Sequence, residues 1–365
     1  MKIAYIVLKG MPLGGGIEKY TEEIGSRLAA KGHEVVVYTM KHYGTREGYY
    51  KGMRIKKVPT INSKSLEKLL ASFTATISQF AEKDIDIVHF HAFGPAMFCL
   101  IPKLFGRKVI VQGHGIEWKR SRWGFWGELF LRLMEIPSVK FPHQVTVVSK
   151  VQQKYLKERY GIDSVYIPTG VNSPKIEPPE LIRRYGLEGR DYILFAARLV
   201  REKGVHYLIE AYNRLNPPLK LVITGDAQHE EDYKSELKSL AGDNKNIIFT
   251  GFVTGKLLDE LFSNCYIFVL PSEIEGLSTA LLEAMSYGNC CLVSDIPENL
   301  EALNGLGRTF ISKDVSSLTE HIDYLISNPQ FVESIRPKAQ RHVLENYSWD
   351  TIADKFEKLY RKLLS

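Results

Sequence analysis

Short apolar runs recur along the chain, separated by segments with helical spacing. The first series is KIAYIVL (2–8), EVVVYTM (34–40), DIVHFH (86–91), KVIVQGH (108–114) and QVTVVS (144–149). A second series is YILFAAR (192–198), KLVITGD (220–226), NIIFTGF (246–252), YIFVLPS (266–272) and NCCLVSD (289–295). Continuous apolar strands set between helices predict parallel sheets buried on both faces. Between the series, TGVNSPKIEPPELIRRYG (169–186) has three prolines and no strand pattern. The chain is therefore expected to be α/β, with two Rossmann-like parallel-sheet domains at 1–170 and 190–345 and a linker at 171–189. At 346–365 an amphipathic helix is expected, because Ile352, Phe356, Leu359, Tyr360 and Leu363 fall at helical spacing. Ligands of open parallel sheets bind beyond the carboxyl ends of the strands. Two such sheets are expected to face each other across a cleft, with the candidate residues just after the strands.

Composition adds little, with 365 residues that are 44% hydrophobic and 25% charged, as in ordinary soluble proteins. No apolar stretch approaches the roughly 18 residues of a membrane span. MKIAYIVLKG reads as a first buried strand and not as a signal peptide. The four cysteines show no C-x-x-C spacing, so buried thiols in a reducing cytoplasm are expected. Charge changes the picture more. Residues 1–175 hold 27 Lys+Arg against 14 Asp+Glu, a net of +13; the rest hold 21 against 28, a net of −7. A basic first half suits an anionic partner, such as lipid head groups, phosphates or nucleic acid. Trp118, Trp123 and Trp126 cluster there with Lys119, Arg120 and Arg122. Indoles mixed with cations suit a bilayer interface or a glycan acceptor. No nucleic-acid motif accompanies them, and no nucleic acid is expected.

Four constellations carry the candidate chemistry. Gly14, Gly15 and Gly16 follow the first strand and precede a helix, where a backbone can approach an anion. They do not form a dinucleotide fingerprint, because Lys19 stands where a glycine is needed. Arg198 and Lys203 lie five apart after a strand, placed to flank a diphosphate and to stabilise one as it departs. Glu275 sits in a loop before a helix that Ser278 or Thr279 can cap and Gly288 can stop. Glu283 lies inside that helix beside Ala280, Leu281, Ala284 and Met285, which are expected to be buried. A carboxylate there is costly unless paired or bonded to hydroxyls, and vicinal ribose hydroxyls would satisfy it. His114, between Gly113 and Gly115, ends a strand and can hydrogen-bond a sugar hydroxyl as neutral imidazole. His89 and His91 alternate along a strand and read as mostly structural, with His91 nearer the cleft. Asp84-x-Asp86 resembles a metal-binding pair but precedes its strand, at the wrong end, so no metal is expected.

Together these residues resemble a family 4 glycosyltransferase of the two-Rossmann-domain GT-B type, particularly members that build bacterial and archaeal surface polysaccharides. The resemblance spans the chain. It rests on the glycine loop, Gly113-His114-Gly115, the Ala-Arg-Leu…Glu-Lys-Gly segment, Gly225-Asp226, Thr250-Gly251-Phe252-Val253 and the Glu275-x7-Glu283 element. It implies sugar transfer from a UDP- or GDP-linked donor with retention of configuration and no metal or other cofactor. Arg198 and Lys203 would neutralise the diphosphate, Glu275 would meet the donor sugar and Glu283 the ribose. The Phe252-Val253 backbone would hold the base, and His114 would lie at the reaction centre. The closing helix would return to brace the first domain. The acceptor would be a glycan or lipid-linked, and the protein cytoplasmic and peripheral to an anionic membrane surface. The family's E-G-F-G-L is Glu275-Gly276-Leu277-Ser278-Thr279 here, in the loop that would meet the sugar hydroxyls. Other enzymes on this scaffold, an epimerase or a phosphorylase, and a non-catalytic glycan- or lipid-binding subunit remain alternatives.

Overall fold

The computed structural model describes all residues except 14, 44–46, 62, 64–65, 117, 119–123 and 228–230. The chain forms two compact units. Met1–Gly170 and Trp349–Ser365 make the first, and Val171–Ser348 the second.

The first unit is built on an eight-stranded sheet. Its strands are β1 (Lys2–Leu8), β2 (Glu34–Met40), β3 (Gly48–Tyr50), β4 (Met53–Val58), β5 (Ile87–His91), β6 (Lys108–Gly113), β7 (Gln144–Val147) and β8 (Val165–Tyr166), in the order β3-β4-β2-β1-β5-β6-β7-β8. Every pairing is parallel except β3 with β4. β5 is buried along its whole length, as a strand with helices over both faces must be. The helices are α1 (Gly16–Ala30), α2 (Glu67–Ser78), α3 (Leu100–Leu104), α4 (Phe125–Lys140) and α5 (Lys150–Tyr160). Asp86 opens β5 by accepting from the Lys2 backbone N–H at 2.8 Å, a strand-start role.

The second unit carries a six-stranded parallel sheet of β9 (Tyr192–Ala196), β10 (Lys220–Thr224), β11 (Ile247–Gly251), β12 (Ile267–Leu270), β13 (Cys290–Ser294) and β14 (Gly307–Phe310). Its order, β11-β10-β9-β12-β13-β14, is the doubly wound one, with chain direction across the sheet reversing between β9 and β12. Its helices are α6 (Val205–Leu215), α7 (Glu231–Ala241), α8 (Lys256–Asn264), α9 (Thr279–Ser286), α10 (Pro297–Leu303), α11 (Val315–Ser327) and α12 (Pro329–Asn346). Residues 171–189, read as a linker, pack within this unit. The fully buried Glu260 of α8 is the reason. Its Oε2 accepts from the backbone N–H groups of Glu180, Leu181 and Ile182 at 2.6–3.1 Å, which ties the segment down.

The last helix, α13 (Trp349–Leu364), returns to the first unit. Trp349, Ile352, Phe356 and Tyr360 are buried. On its rim Arg27 meets Asp350 at 2.6 Å, and Lys31 pairs with Asp354 and Glu357. All four cysteines are buried free thiols.

Candidate active site

In the second unit the sheet reverses between β9 and β12, and the segments leaving these two strands hold the unusual residues. After β9, the 3-10 turn Arg201–Lys203 ends at Gly204, which precedes α6. Gly204 has φ +68°, and a Cβ there would lie 2.0 Å from the Pro271 carbonyl oxygen. No side chain fits, so the turn can press against the loop after β12. The Glu273 N–H donates to the Glu202 carbonyl at 2.8 Å and joins the two segments.

Lys203 and Glu275 meet across this join. Lys203 Nζ lies 2.5 Å from Glu275 Oε1, with side chains 13% and 8% exposed. The Ser272 hydroxyl donates to the same oxygen at 2.7 Å. Ser272 is held in turn: its carbonyl accepts from the Ser294 hydroxyl, and Asn299 Nδ2 donates to Ser294 Oγ at 3.0 Å. Glu273 accepts from the Tyr207 hydroxyl at 2.9 Å and pairs with Lys313 at 2.8 Å. Ser272, Ser294, Asn299 and Tyr207 carry no motif, so sequence reasoning did not reach them. Their one signal is that Ser272 and Ser294 sit at or just after strand ends of the same sheet, with Tyr207 and Asn299 in the first turn of the helices that follow β9 and β13.

The pair has capacity left over. An ammonium has three N–H donors, and Glu275 is the one acceptor Lys203 uses among the described residues. Both hydrogen bonds to Glu275 fall on Oε1, and Oε2 takes none among them. Arg198 is exposed and meets no acid among the described residues.

Ser278 caps α9, its hydroxyl accepting from the Leu281 N–H at 3.4 Å. Leu277 and Ser278 are buried, and Gly276 and Thr279 are half-buried. Glu283 is half-buried on α9 beside the fully buried Leu282 and Ala284. Of the four neighbours expected to be buried, Leu281, Ala284 and Met285 are; Ala280 is half-buried. Gly225, at φ +138°, would place a Cβ 1.8 Å from the Ala197 carbonyl oxygen, so β9 and β10 leave the sheet in close contact. Phe252 is exposed and Val253 half-buried just beyond β11.

In the first unit the reversal falls between β1 and β5. Gly14 lies outside the described residues. Gly15 is the N-cap of α1 and Gly16 its first residue. The Glu18 carboxylate folds over this helix start: Oε1 accepts from the Lys9 N–H at 3.3 Å, and Oε2 sits 2.2 Å from where a Gly15 Cβ would be. An anion approaching α1 would meet that carboxylate.

His114, half-buried, is part of a relay. The Thr21 hydroxyl donates to the Ile17 carbonyl at 2.9 Å. Toward His91 Nε2, 3.3 Å away, Thr21 therefore accepts, and His91 carries its proton on Nε2. His91 Nδ1 then accepts from His114 Nε2 at 3.1 Å. His114 is thereby fixed with a proton on Nε2. Burial, with the neighbouring His89 and His114, pushes His91 well below the usual imidazole range. Burial pushes His89 to about 3; its Nδ1 lies 2.7 Å from the Tyr360 hydroxyl. His91 was read as mostly structural, and the register of β5 beside β6 gives it this second role.

Trp118 is a packing residue: its Nε1 donates to the buried Glu135 at 3.0 Å, and Arg132 stacks over its ring at 4.0 Å. Trp126 is 78% exposed. Lys119, Arg120, Arg122 and Trp123 lie outside the described residues. Among the described residues no group of three His, Cys, Asp or Glu could hold a metal ion.

The Glycosyltransferase Family 4 model matches residues 14–174, and the Glycosyl transferases group 1 model matches residues 179–342. An uncharacterized glycosyltransferase of Methanocaldococcus jannaschii is 27% identical, over 99% of this chain and 98% of the relative. The GDP-mannose-dependent α-(1-6)-phosphatidylinositol monomannoside mannosyltransferase of Mycolicibacterium smegmatis is 26% identical, over 93% of each chain. Among solved structures, Anabaena HepE in complex with UDP and glucose superposes with a TM-score of 0.83 at 18% identity, covering 99% of this chain and 100% of that one. Matched in both halves and along almost its whole length, the chain belongs to the family 4 glycosyltransferases and is a glycosyltransferase with the two-domain α/β fold called GT-B.

Proposed function

We propose that the chain moves a sugar from a UDP- or GDP-linked donor to a glycan or lipid-linked acceptor, with retention of anomeric configuration and without a metal. The observation that carries this reading is the Lys203–Glu275 pair at the β9/β12 reversal. One carboxylate oxygen fixes the ammonium, and the other is left to accept from a hydroxyl. When the bond between the anomeric carbon and the diphosphate oxygen breaks, its electron pair stays on the diphosphate. The two remaining Lys203 donors, the Arg198 fork and the α6 N-terminus suit that growing charge. Glu275 Oε2 takes a donor-sugar hydroxyl and Glu283 the ribose. Gly225 gives the close backbone approach, and Phe252-Val253 flank the base. The Leu277-Ser278-Thr279 segment faces the sugar at the α9 start. In the first unit, His114 is the candidate to meet a sugar hydroxyl, and Gly15 and Gly16 are the candidate backbone approach for an anion, to which Glu18 must yield.

Relatives favour the wider setting. The Mycolicibacterium relative is named for a phosphatidylinositol mannoside acceptor, so a lipid-linked acceptor in surface polysaccharide or glycoconjugate synthesis is the natural substrate class. None of the helices among the described residues is long and apolar enough to cross a membrane. Peripheral attachment at the cytoplasmic face of the membrane is the reading that fits the basic first half.

Incubation with a panel of UDP- and GDP-sugars and glycan or lipid-linked acceptors tests the reaction. The expected product keeps the donor's anomeric configuration by NMR, and EDTA leaves the rate unchanged. An inverted product, loss of activity in EDTA, or sugar conversion with no acceptor present contradicts the proposal.

A further inference from the structure

Two neighbouring helices of the first unit are inside out. On α2 and the turn before it, the large apolar residues Leu66, Leu70, Phe73 and Ile77 point to solvent, each 36–49% exposed. The face α2 buries holds Glu67, Ala71, Ser72, Ala75 and Thr76. On α4, Phe125 and Trp126 are 73% and 78% exposed, and Leu129, Phe130, Leu133 and Ile136 lie between 39% and 51%. The face α4 buries holds Glu135, Ser138 and Val139. Helices on a globular surface turn their apolar stripe inward. Two adjacent exceptions, each periodic at three and four residues, are not scattered surface hydrophobics.

The two stripes share one surface. Both helices pack on the segment around the 3-10 turn Pro95–Phe98: the Ser72 hydroxyl donates to the Pro95 carbonyl and the Ser138 hydroxyl to the Phe93 carbonyl, each at 2.5 Å. Phe98 is in ring contact with Phe73, centroids 5.3 Å apart. Leu104 and Phe105, 74% and 71% exposed at the end of α3, extend the apolar surface, and Phe105 meets Phe80 at 4.9 Å.

Charge identifies what covers it. Among the described residues, the acids of the two helices are Glu67 and Glu135, both buried, and Glu128, which pairs with Arg132. Lys68 and Lys140 are exposed on α2 and α4, and Lys103 donates to the Phe141 carbonyl at the far end of α4. A second copy of this chain would bring like charges together across the face. An anionic lipid leaflet would pair the cations with head groups and bury the apolar stripes in the acyl boundary. We infer that the α2–α4 face seats on an anionic bilayer, with Phe125, Trp126, Phe130 and Leu133 inserted. This deepens the reading of membrane attachment and is independent of the reaction proposed above.

The full chain is tested against vesicles of phosphatidylcholine alone and of phosphatidylcholine with phosphatidylglycerol. Binding to the anionic vesicles at low salt is expected, weakened as salt screens the cations, with a blue-shifted emission that Trp126→Phe removes. Phe130→Asp with Leu133→Asp, and separately Leu70→Asp with Phe73→Asp, should each cut vesicle affinity about tenfold or more. Tyr49→Asp, on the exposed edge strand β3, should leave it unchanged. Unaltered melting temperature and unaltered stabilisation by UDP or GDP show that the helix variants are folded. Vesicle binding that survives both double variants overturns this face while leaving membrane attachment standing. No binding to anionic vesicles overturns both. A wild-type dimer in sedimentation that the same variants dissociate assigns the face to a second copy and also overturns the inference.

Discussion

Lys203 and Glu275 act as one device. The carboxylate holds the ammonium in place before any ligand arrives, so the cation needs little reorganisation when charge develops nearby. Both residues were visible in the sequence as separate candidates, but their contact was not, because they lie 72 positions apart. The sequence also showed His114, and only the fold shows how its proton is fixed. Thr21 reaches it through His91, one from α1 and one from β5. Removing the Thr21 hydroxyl should release that tautomer. Histidine-selective 15N spectra of the wild type are expected to show His114 protonated on Nε2, and Thr21→Val to show a mixture. A wild-type His114 protonated on Nδ1, or spectra that Thr21→Val does not change, would contradict the relay.

At the scale of elements, the site follows from strand order. β9 and β12 are neighbours whose following segments part to opposite sides of the sheet, and they touch where Gly204 meets Pro271. A Gly204→Ala substitution meets both a left-handed φ and a carbonyl at 2.0 Å. It should destabilise the protein by about 2 kcal/mol or more and displace Lys203, measured by urea unfolding with nucleotide binding alongside. Wild-type stability and binding in that variant would show that the join is not tight. The buried central strands were legible as continuous apolar runs. β3 and β4 were not, because β3 is a three-residue edge strand and β4 beside it interrupts buried Met53, Ile55 and Val58 with half-buried cations. β8 has only two residues, and β14, GRTF, has a single apolar one, so neither forms an apolar run. The inward acids of α2 and α4 were likewise invisible, since an apolar stripe in sequence does not say which way it faces.

For the molecule as a whole, buried histidines link stability to pH. His89 stays neutral in the fold down to about 3, and burial holds His91 well below the ordinary imidazole range, whereas in the unfolded chain both titrate near 6.5. Below that pH the unfolded state binds more protons, so stability is fully present above about 6.5 and falls with pH, by about 1.4 kcal/mol per unit for each histidine. Glu82 adds a second window. Burial raises it, but hydrogen bonds from Lys56, Arg54 and Lys2 outweigh that and hold it at about 2, against an ordinary 4.5. Its contribution is present above 4.5 and lost as pH falls toward 2. Urea midpoints taken from pH 7 to 3 should fall steadily, and Glu82→Gln should flatten the lower part. A midpoint independent of pH would contradict the neutral, buried histidines.

Titration calorimetry with UDP and with GDP tests most directly whether the β9/β12 reversal grips a nucleoside diphosphate. Saturable binding of at least one of them to the wild type is predicted, weakened about tenfold or more in Lys203→Ala. No binding of either, or equal affinity in Lys203→Ala, would contradict it.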